Sequence, residues 1–168
     1  MIDLTTPLSE EAISSLNVGD VVTLTGIIYT GRDAVLPRII KAADEGKLAS
    51  MGIDLKGAVI FHTAVSVAGV GPTSSNKLEI ESSFEPLSRY GVKMHLGKGA
   101  ISKATVETIA KYNAVFAIIP PVTALLNSQT VEHEILAYPE LGMEAFNRLK
   151  IVKYQAIIAA ANGRSIYE

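Results

Sequence analysis

Three short loops carry most of the chemistry this chain could perform. They are Gly31-Arg32-Asp33, Gly71-Pro72-Thr73-Ser74-Ser75-Asn76-Lys77 and Gly97-Lys98-Gly99. Each combines small residues, whose backbone N–H groups are open to approach, with one cationic side chain. Arg32 can grip a carboxylate through two parallel hydrogen bonds, whereas Lys77 and Lys98 act as point charges. Each loop follows a stretch of strand character and precedes one of helical character. If those strands are parallel neighbours, the loops meet at the carboxyl edge of one sheet, where α/β folds bind ligands. Helix N-termini opening there add free N–H groups and partial positive charge. The expected ligand is a small polyanion, a dicarboxylate or a phosphate. Taken singly, an Arg-Asp pair at a helix start is an ordinary surface ion pair, and Gly-Pro-Thr-Ser-Ser is an ordinary turn feeding a cap. The repetition at one topological position carries the functional reading.

Two familiar phosphate motifs fail. A Walker loop needs Gly-Lys-Ser/Thr, but Lys98 is followed by Gly99 and Lys77 by Leu78. Gly97-x-Gly99-x-x-Ser102 imitates half of a dinucleotide fingerprint, yet the next strand ends in Pro120-Pro121, not in an acidic residue for the ribose. His62 falls at a strand end where it could line the same edge, although a packed histidine is the plainer reading. His95 and His133 sit in strand-like contexts and suggest no role. Asp33 is placed to act as a general base, but the adjacent Arg32 would keep it weakly basic.

The elements that must position these loops follow from periodicity. Val21–Tyr29 is rich in β-branched residues and predicts a strand. Leu36, Ile39, Ile40 and Ala43 fall on one helical face, with Pro37 in its first turn. Ala58–Ala64 predicts a second strand, and Val65–Ser75 a strand end running into a polar loop. A helix from about Asn76 to Arg89 is expected, bent or shortened by Pro86 and closed by Gly91. Val92–Leu96 predicts a strand, and Ser102 caps a helix that buries Val106, Ile109 and Ala110. Ala114–Ile119 has the composition of a central strand. A short helix at Thr123–Ser128, a strand at Glu134–Tyr138 and a helix at Gly142–Leu149 follow. The chain then runs through an apolar strand, Ala156–Ala161, an Asn162-Gly163 hairpin turn and Ser165–Tyr167. Alternating strands and helices predict a three-layer α/β domain with a mixed sheet, spanning residues 1–168 as one unit.

Composition narrows the function classes. Hydrophobic residues make up 48% and charged residues 19%, which describes a globular chain with a sizeable core. A net charge of −2, with no basic run, argues against nucleic acid or an anionic membrane as the partner. No apolar run approaches the roughly eighteen residues of a membrane span. The opening Met-Ile-Asp-Leu-Thr-Thr lacks the features of a secretory signal, so a cytoplasmic location is expected. Cysteine is absent, which removes disulfides, thiolate catalysis and cysteine-held metal within this chain. The three histidines show no metal-ligand spacing, so no metal site is expected here. A greasy chain of modest charge also suggests association.

In order and spacing, the motifs resemble the beta subunit, or fused C-terminal domain, of the class I iron–sulfur fumarate hydratase and tartrate dehydratase family. The matching segments are Gly19–Gly26, Tyr29-Thr30-Gly31-Arg32-Asp33, Phe61-His62, Gly71-Pro72-Thr73-Ser74-Ser75, Gly97-Lys98-Gly99 and Leu141-Gly142-Met143-Glu144-Ala145. The resemblance implies a swivelling β/β/α domain and a reversible hydro-lyase, adding water to an unsaturated dicarboxylate of fumarate/malate or tartrate type. It implies a separate alpha subunit whose cysteines hold a four-iron cluster, in a dimer or alpha2-beta2 assembly. Carried over by position, it places Thr73 at the proton-abstracting position and Lys98 in the catalytic site. Arg32 and Lys77 become carboxylate-binding residues, with Gly31, Asp33, Ser74, Ser75 and His62 around them. The chain departs from the family pattern at Leu36, where a histidine is usual, at Lys77, where an arginine is usual, and at Ala100 and Pro120-Pro121. Those departures leave room for a second reading, a non-catalytic carboxylate- or phosphate-binding regulatory domain of the same fold.

Overall fold

The computed structural model describes residues 1–66, 69–73, 77–119 and 123–166, with side chains outside the described set at 66, 69–73, 77–80 and 123–125. The strands are β1 (Ile2–Thr5), β2 (Val21–Thr30), β3 (Val59–Phe61), β4 (Thr63–Ser66), β5 (Gly69–Thr73), β6 (Met94–Gly97), β7 (Val115–Ile118), β8 (Thr130–Ala137), β9 (Phe146–Ala161) and β10 (Arg164–Ser165). The helices are α1 (Glu10–Ser14), α2 (Leu36–Asp44), α3 (Lys77–Arg89), α4 (Lys103–Lys111) and α5 (Thr123–Ser128). Tight 3-10 turns occupy Ala49–Met51 and Pro139–Glu144.

The architecture is mixed α/β with a mixed sheet, as the alternating pattern indicated. Strands β2, β3, β6 and β7 pair in parallel and in sequence order. β9 runs antiparallel and pairs with β7 through residues 157–160 and with β2 through residues 147–157. The ring β2-β3-β6-β7-β9 therefore closes on itself. β1 adds in parallel beside β2, β8 lies antiparallel beside the first part of β9, and β10 forms a terminal hairpin with β9.

Strand alternation divides the apolar residues between the two faces of this ring. Val22, Leu24, Ile28, Val59, Phe61, Met94, Leu96, Val115, Ala117, Leu149, Ile151 and Ile158 share the interior cluster. On the outside, Tyr29, Ile60 and Phe146 pack with Leu36 and Ile39 of α2, while Phe116, Ala159 and Ala160 pack with Phe84 of α3 and Val106 and Ile109 of α4. The sheet thus has an apolar core on each of its faces.

Several local expectations hold. Pro37 occupies the first turn of α2, and its buried face is Leu36, Ile39 and Ala42, with Ile40 at the margin. Ser102 caps α4 by accepting from the Thr105 N–H at 3.2 Å. Asn162 and Gly163 have φ of 54° and 80°, the positive pair a tight hairpin turn needs. Other expectations are corrected. The strand expected at 58–64 breaks at His62 into β3 and β4, and β4 leaves the main sheet to form a hairpin with β5, where a strand end running into a polar loop was expected. α3 runs through Pro86 to Arg89 without being cut short. β8 begins at Thr130, earlier than its predicted start. The helix expected at Gly142–Leu149 does not exist: a 3-10 turn ends at Glu144, and Phe146 opens the sixteen-residue β9. Phe146, Leu149, Ile151, Tyr154, Ala156 and Ile158 are buried. The i, i+3 spacing of the first two mimics a helix, but Phe146 packs in the outer cluster and Leu149 in the interior one, on opposite faces of a strand covered on both sides. β1 and α1 carried no expectation, and Tyr167 lies outside the described residues.

Candidate active site at the carboxyl edge

The parallel strands end in register. Thr30 pairs with Phe61, Phe61 with Leu96, and Leu96 with Ala117. The Gly31 N–H continues the ladder to the Phe61 carbonyl at 3.1 Å, the His62 N–H to Leu96 at 3.0 Å, and the Ile119 N–H to Gly97 at 3.1 Å. Gly31-Arg32-Asp33, His62-Thr63 and Gly97-Lys98-Gly99 therefore emerge side by side on one rim, the carboxyl edge the sequence pointed to. Thr73 reaches the same rim by another route. The β4-β5 hairpin pairs its backbone with Thr63, immediately beyond β3. Lys77 opens α3. Ser74, Ser75 and the intervening Asn76 lie outside the described residues, as do the side chains of Thr73 and Lys77.

The turn after β2 is tight. A Cβ on Gly31 would come within 2.9 Å of Val35 Cγ1 and 3.0 Å of Leu36 Cδ2, so glycine lets α2 fold back directly from the strand. Leu36 is itself 1% exposed, which accounts for an apolar residue there. Arg32 follows, about a quarter exposed, with Nε 3.5 Å from Glu144 Oε1 and 3.9 Å from Asp33 Oδ1. These are ion-pair distances without hydrogen bonds. Arg32 Nε and Glu144 Oε2 are both buried without a hydrogen-bond partner among the described residues. Nε is thus held by charge and its N–H is without an acceptor among the described residues. Asp33 is exposed. Lys98 is exposed on its glycine-flanked turn, and Gly99 has φ of 75°.

Glu144 received no role from the sequence beyond its place in Leu141–Ala145. It arrives because the antiparallel β9 begins where the parallel strands end. Asn147, 1% exposed and paired with Thr30, fixes this approach: its Nδ2 donates to the Ala145 carbonyl at 2.9 Å, and its Oδ1 accepts from His133 Nε2 at 2.6 Å. His133, set aside in the sequence, thus supports the turn that delivers Glu144.

His62 is fully buried, as the plainer reading anticipated, but it is not fully satisfied. Its Nε2 lies 3.1 Å from His95 Nδ1, and His95 Nε2 lies 2.9 Å from Ser88 Oγ on α3. Phe84 stacks on His95 with ring centres 4.2 Å apart and tilts against His62 at 4.9 Å. His62 Nδ1 is buried with no partner among the described residues. Burial pushes the His62 pKa down to about 3. Burial also holds His95 well below the ordinary range, with repulsion from His62 adding to it. Both rings are neutral at physiological pH. Ser88 and His95 carried no signal in the sequence, because the link joins two strands and a helix.

A shallow cavity lined by Thr6, Ile27, Tyr29, Asp54, Lys56 and Arg148 opens beside the amino end of β3 and contains none of these loop residues. The converging loops, not that hollow, define the site. Among the described residues no group of three His, Asp or Glu side chains could hold a metal ion, and no helix is long and apolar enough to cross a membrane.

Cationic and glycine-rich loops thus gather on one carboxyl rim of a mixed α/β domain. The sequence comparisons show its family. The model of the Fumarase C-terminus family matches residues 1–168, and the chain belongs to that family. It is similar to the "L(+)-tartrate dehydratase subunit beta" of Escherichia coli K12, 36% identical over 152 residues, covering 83% of this chain and 72% of that protein. It is 30% identical over 176 residues to the "Putative L(+)-tartrate dehydratase subunit beta" of Methanocaldococcus jannaschii, covering 96% and 88% of the two chains. It is 28% identical over 181 residues to the "Putative fumarate hydratase class I" of Geobacillus stearothermophilus, covering all of this chain but 34% of that protein.

Proposed function

We propose that this chain is the beta subunit of a hydro-lyase that interconverts a hydroxy-dicarboxylate and its unsaturated partner, of tartrate or fumarate/malate type. The observation that carries this reading is the in-register convergence of Gly31-Arg32-Asp33, His62-Thr63 with the paired Thr73, and Gly97-Lys98-Gly99 on one rim.

Elimination of water removes a proton from the carbon next to a carboxylate and releases a hydroxyl from the neighbouring carbon. Negative charge builds on the carboxylate side in the transition state, and fixed cations aimed there lower the barrier. Arg32 binds one substrate carboxylate, using the donors that Glu144 and Asp33 leave free. Lys77 binds the second carboxylate, and Lys98 adds charge from its turn. Thr73 takes the proton. A threonine hydroxyl is a weak base, so this role requires the nearby cations to stabilise its alkoxide. Gly31, Asp33, Ser74 and Ser75 shape the rim.

The family's iron–sulfur group does not fit this chain. There is no cysteine, and the described residues offer no metal-ligand cluster. Such a group belongs to a cysteine-bearing alpha subunit, and the complete site lies between the two chains in a cytoplasmic dimer or alpha2-beta2 assembly. The test is anaerobic affinity purification of the chain from its host, with iron and acid-labile sulfide assayed and turnover measured on L(+)-tartrate, malate and fumarate. A stoichiometric larger partner carrying both, and activity abolished by Thr73→Val without loss of assembly, is the expected result. A homo-oligomer free of iron would overturn the proposal in favour of a regulatory anion-binding domain.

A further inference from the structure

We infer that Ser88, His95 and His62 form an oriented hydrogen-bond chain that presents His62 Nδ1–H as a neutral donor to a carboxylate or hydroxyl oxygen of the ligand at the carboxyl rim. The inference rests on reading that rim as the substrate site.

The chain has two possible directions. In one, the Ser88 hydroxyl donates to His95 Nε2, His95 Nδ1–H donates to His62 Nε2, and His62 carries its proton on Nδ1. In the other, every bond reverses, and the Ser88 hydroxyl accepts. Ser88 Oγ has His95 as its partner, and Ser88 is 3% exposed. The reversed chain would leave the serine proton buried without an acceptor, as well as leaving His62 Nδ1 as a bare lone pair. With the rim empty either direction leaves one buried donor unused, at about 1–3 kcal/mol; a carboxylate at the rim accepts from His62 Nδ1–H but would face a bare lone pair in the reversed chain, so an anionic ligand selects the first direction. It uses each internal donor and leaves one, His62 Nδ1–H, without a partner among the described residues.

The position of that donor fits a ligand contact. His62 follows the last residue of β3 and precedes Thr63, whose backbone pairs with Thr73. Phe84 packs against both imidazoles, so neither ring is free to flip its nitrogens. No carboxylate is hydrogen-bonded to either ring among the described residues, so nothing favours an imidazolium. A neutral donor adds a directed hydrogen bond to a rim already supplied with charge by Arg32 and Lys98. In this arrangement His62 touches substrate, while His95 and Ser88 are positioning residues that fix its tautomer.

Two measurements test this. Nitrogen-15 NMR of the histidine-labelled assembly, saturated with L(+)-tartrate or inorganic phosphate, between pH 8 and 6 should show His62 and His95 both protonated on Nδ1, with neither titrating. Ser88→Ala should return both rings to mixed tautomers. His62 protonated on Nε2, or titrating in this range, overturns the chain whatever the protein's activity. In the purified assembly, His62→Phe keeps the aromatic packing and removes the donor, while His62→Asn restores an N–H near the Nδ1 position. Loss of one hydrogen bond to a charged oxygen should raise KM for L(+)-tartrate or fumarate by about tenfold or more in His62→Phe, with most of it recovered in His62→Asn. With inorganic phosphate or L(+)-tartrate added to the labelled assembly, the His62 Nδ1–H resonance should shift. Unchanged KM or an unmoved resonance overturns the ligand contact while leaving the hydro-lyase reading in place. A shifted resonance without turnover on any hydroxy-dicarboxylate overturns the hydro-lyase reading and keeps the contact.

Discussion

Mild acid should destabilise this protein well before its carboxylates are protonated, because it buries two neutral histidines. An unfolded histidine takes a proton near pH 6.5. In the folded chain His62 resists protonation until about pH 3, and His95 is held low by burial and by His62. Between those limits the unfolded state binds two more protons than the folded state from this pair. The sign follows directly: stability is fully present above pH 6.5 and declines as pH falls through the window. Each proton contributes a slope approaching about 1.4 kcal/mol per pH unit, so the pair approaches about 2.7. From pH 7 to pH 5 the loss comes to about 4 kcal/mol, a large part of the roughly 5–15 kcal/mol that holds a domain together. Ordinary carboxylates contribute little above pH 5. Glu10, kept below the usual carboxylate range by its hydrogen bonds from Lys93 and Asn113, adds its own loss only at lower pH. Urea denaturation midpoints at pH 7.5, 6.5, 5.5 and 5.0 would measure the slope. His62→Asn and His95→Asn should each remove about half of it, even if they lower stability at pH 7.5. A wild-type slope below about 1 kcal/mol per unit between pH 5 and 6 would refute the reasoning, as would a slope unchanged in both variants.

Gly57→Ala should cost about 2–4 kcal/mol in thermal unfolding, because φ is 74° and the new Cβ would lie 2.7 Å from the Leu8 carbonyl oxygen, a backbone atom that cannot swing away. Gly99→Ala, with φ of 75° but open space around it, should cost only about 1 kcal/mol; equal losses would show that conformation alone governs both positions. Glu144→Gln should release Arg32 from a competing carboxylate 3.5 Å away and tighten dicarboxylate binding in the assembly by about threefold, read as a lower KM. A higher KM would instead make Glu144 a residue that orients the guanidinium.

The legible part of the fold was the part written locally. The β-branched run at Val21–Thr30, the Ser102 cap and the Asn162-Gly163 turn each encode their conformation in neighbouring residues, and the structure follows them. The rim was legible for the same reason: glycine and a cation after each strand are local facts, and parallel pairing brings them together. The last part of β9, Ala156–Ala161, was legible as a strand, but its first ten residues were not, because their conformation is set by their partners. Lys153 takes φ of 54° within it, where the pairing shifts register opposite Thr25 and Gly26, and the Lys153 N–H bonds to Thr25 Oγ1 at 3.1 Å. Such a bulge breaks the strict alternation by which a strand is recognised. The hairpin that carries Thr73 was hidden likewise, since Gly-Val-Gly-Pro-Thr has turn composition and becomes a strand only by pairing with Thr63–Ser66.

The closing strand also explains why the site contains residues from opposite ends of the chain. A purely parallel sheet would offer its carboxyl rim only the loops that follow β2, β3, β6 and β7. β9 is antiparallel and joins β7 to β2, so its amino end meets the carboxyl end of β2. The residues just before it, Glu144 and Ala145, are thereby delivered beside Arg32, and Asn147 is locked opposite Thr30. The register of β9 against β2 shifts at Lys153, and at the same point Gly26 must lack a side chain, since a Cβ there would collide with Thr6 Oγ1. Ring closure and site assembly therefore depend on one irregular strand. A substitution that straightens β9 would displace Glu144 and Asn147 from the rim while leaving the parallel strands, with Arg32, His62 and Lys98, in register.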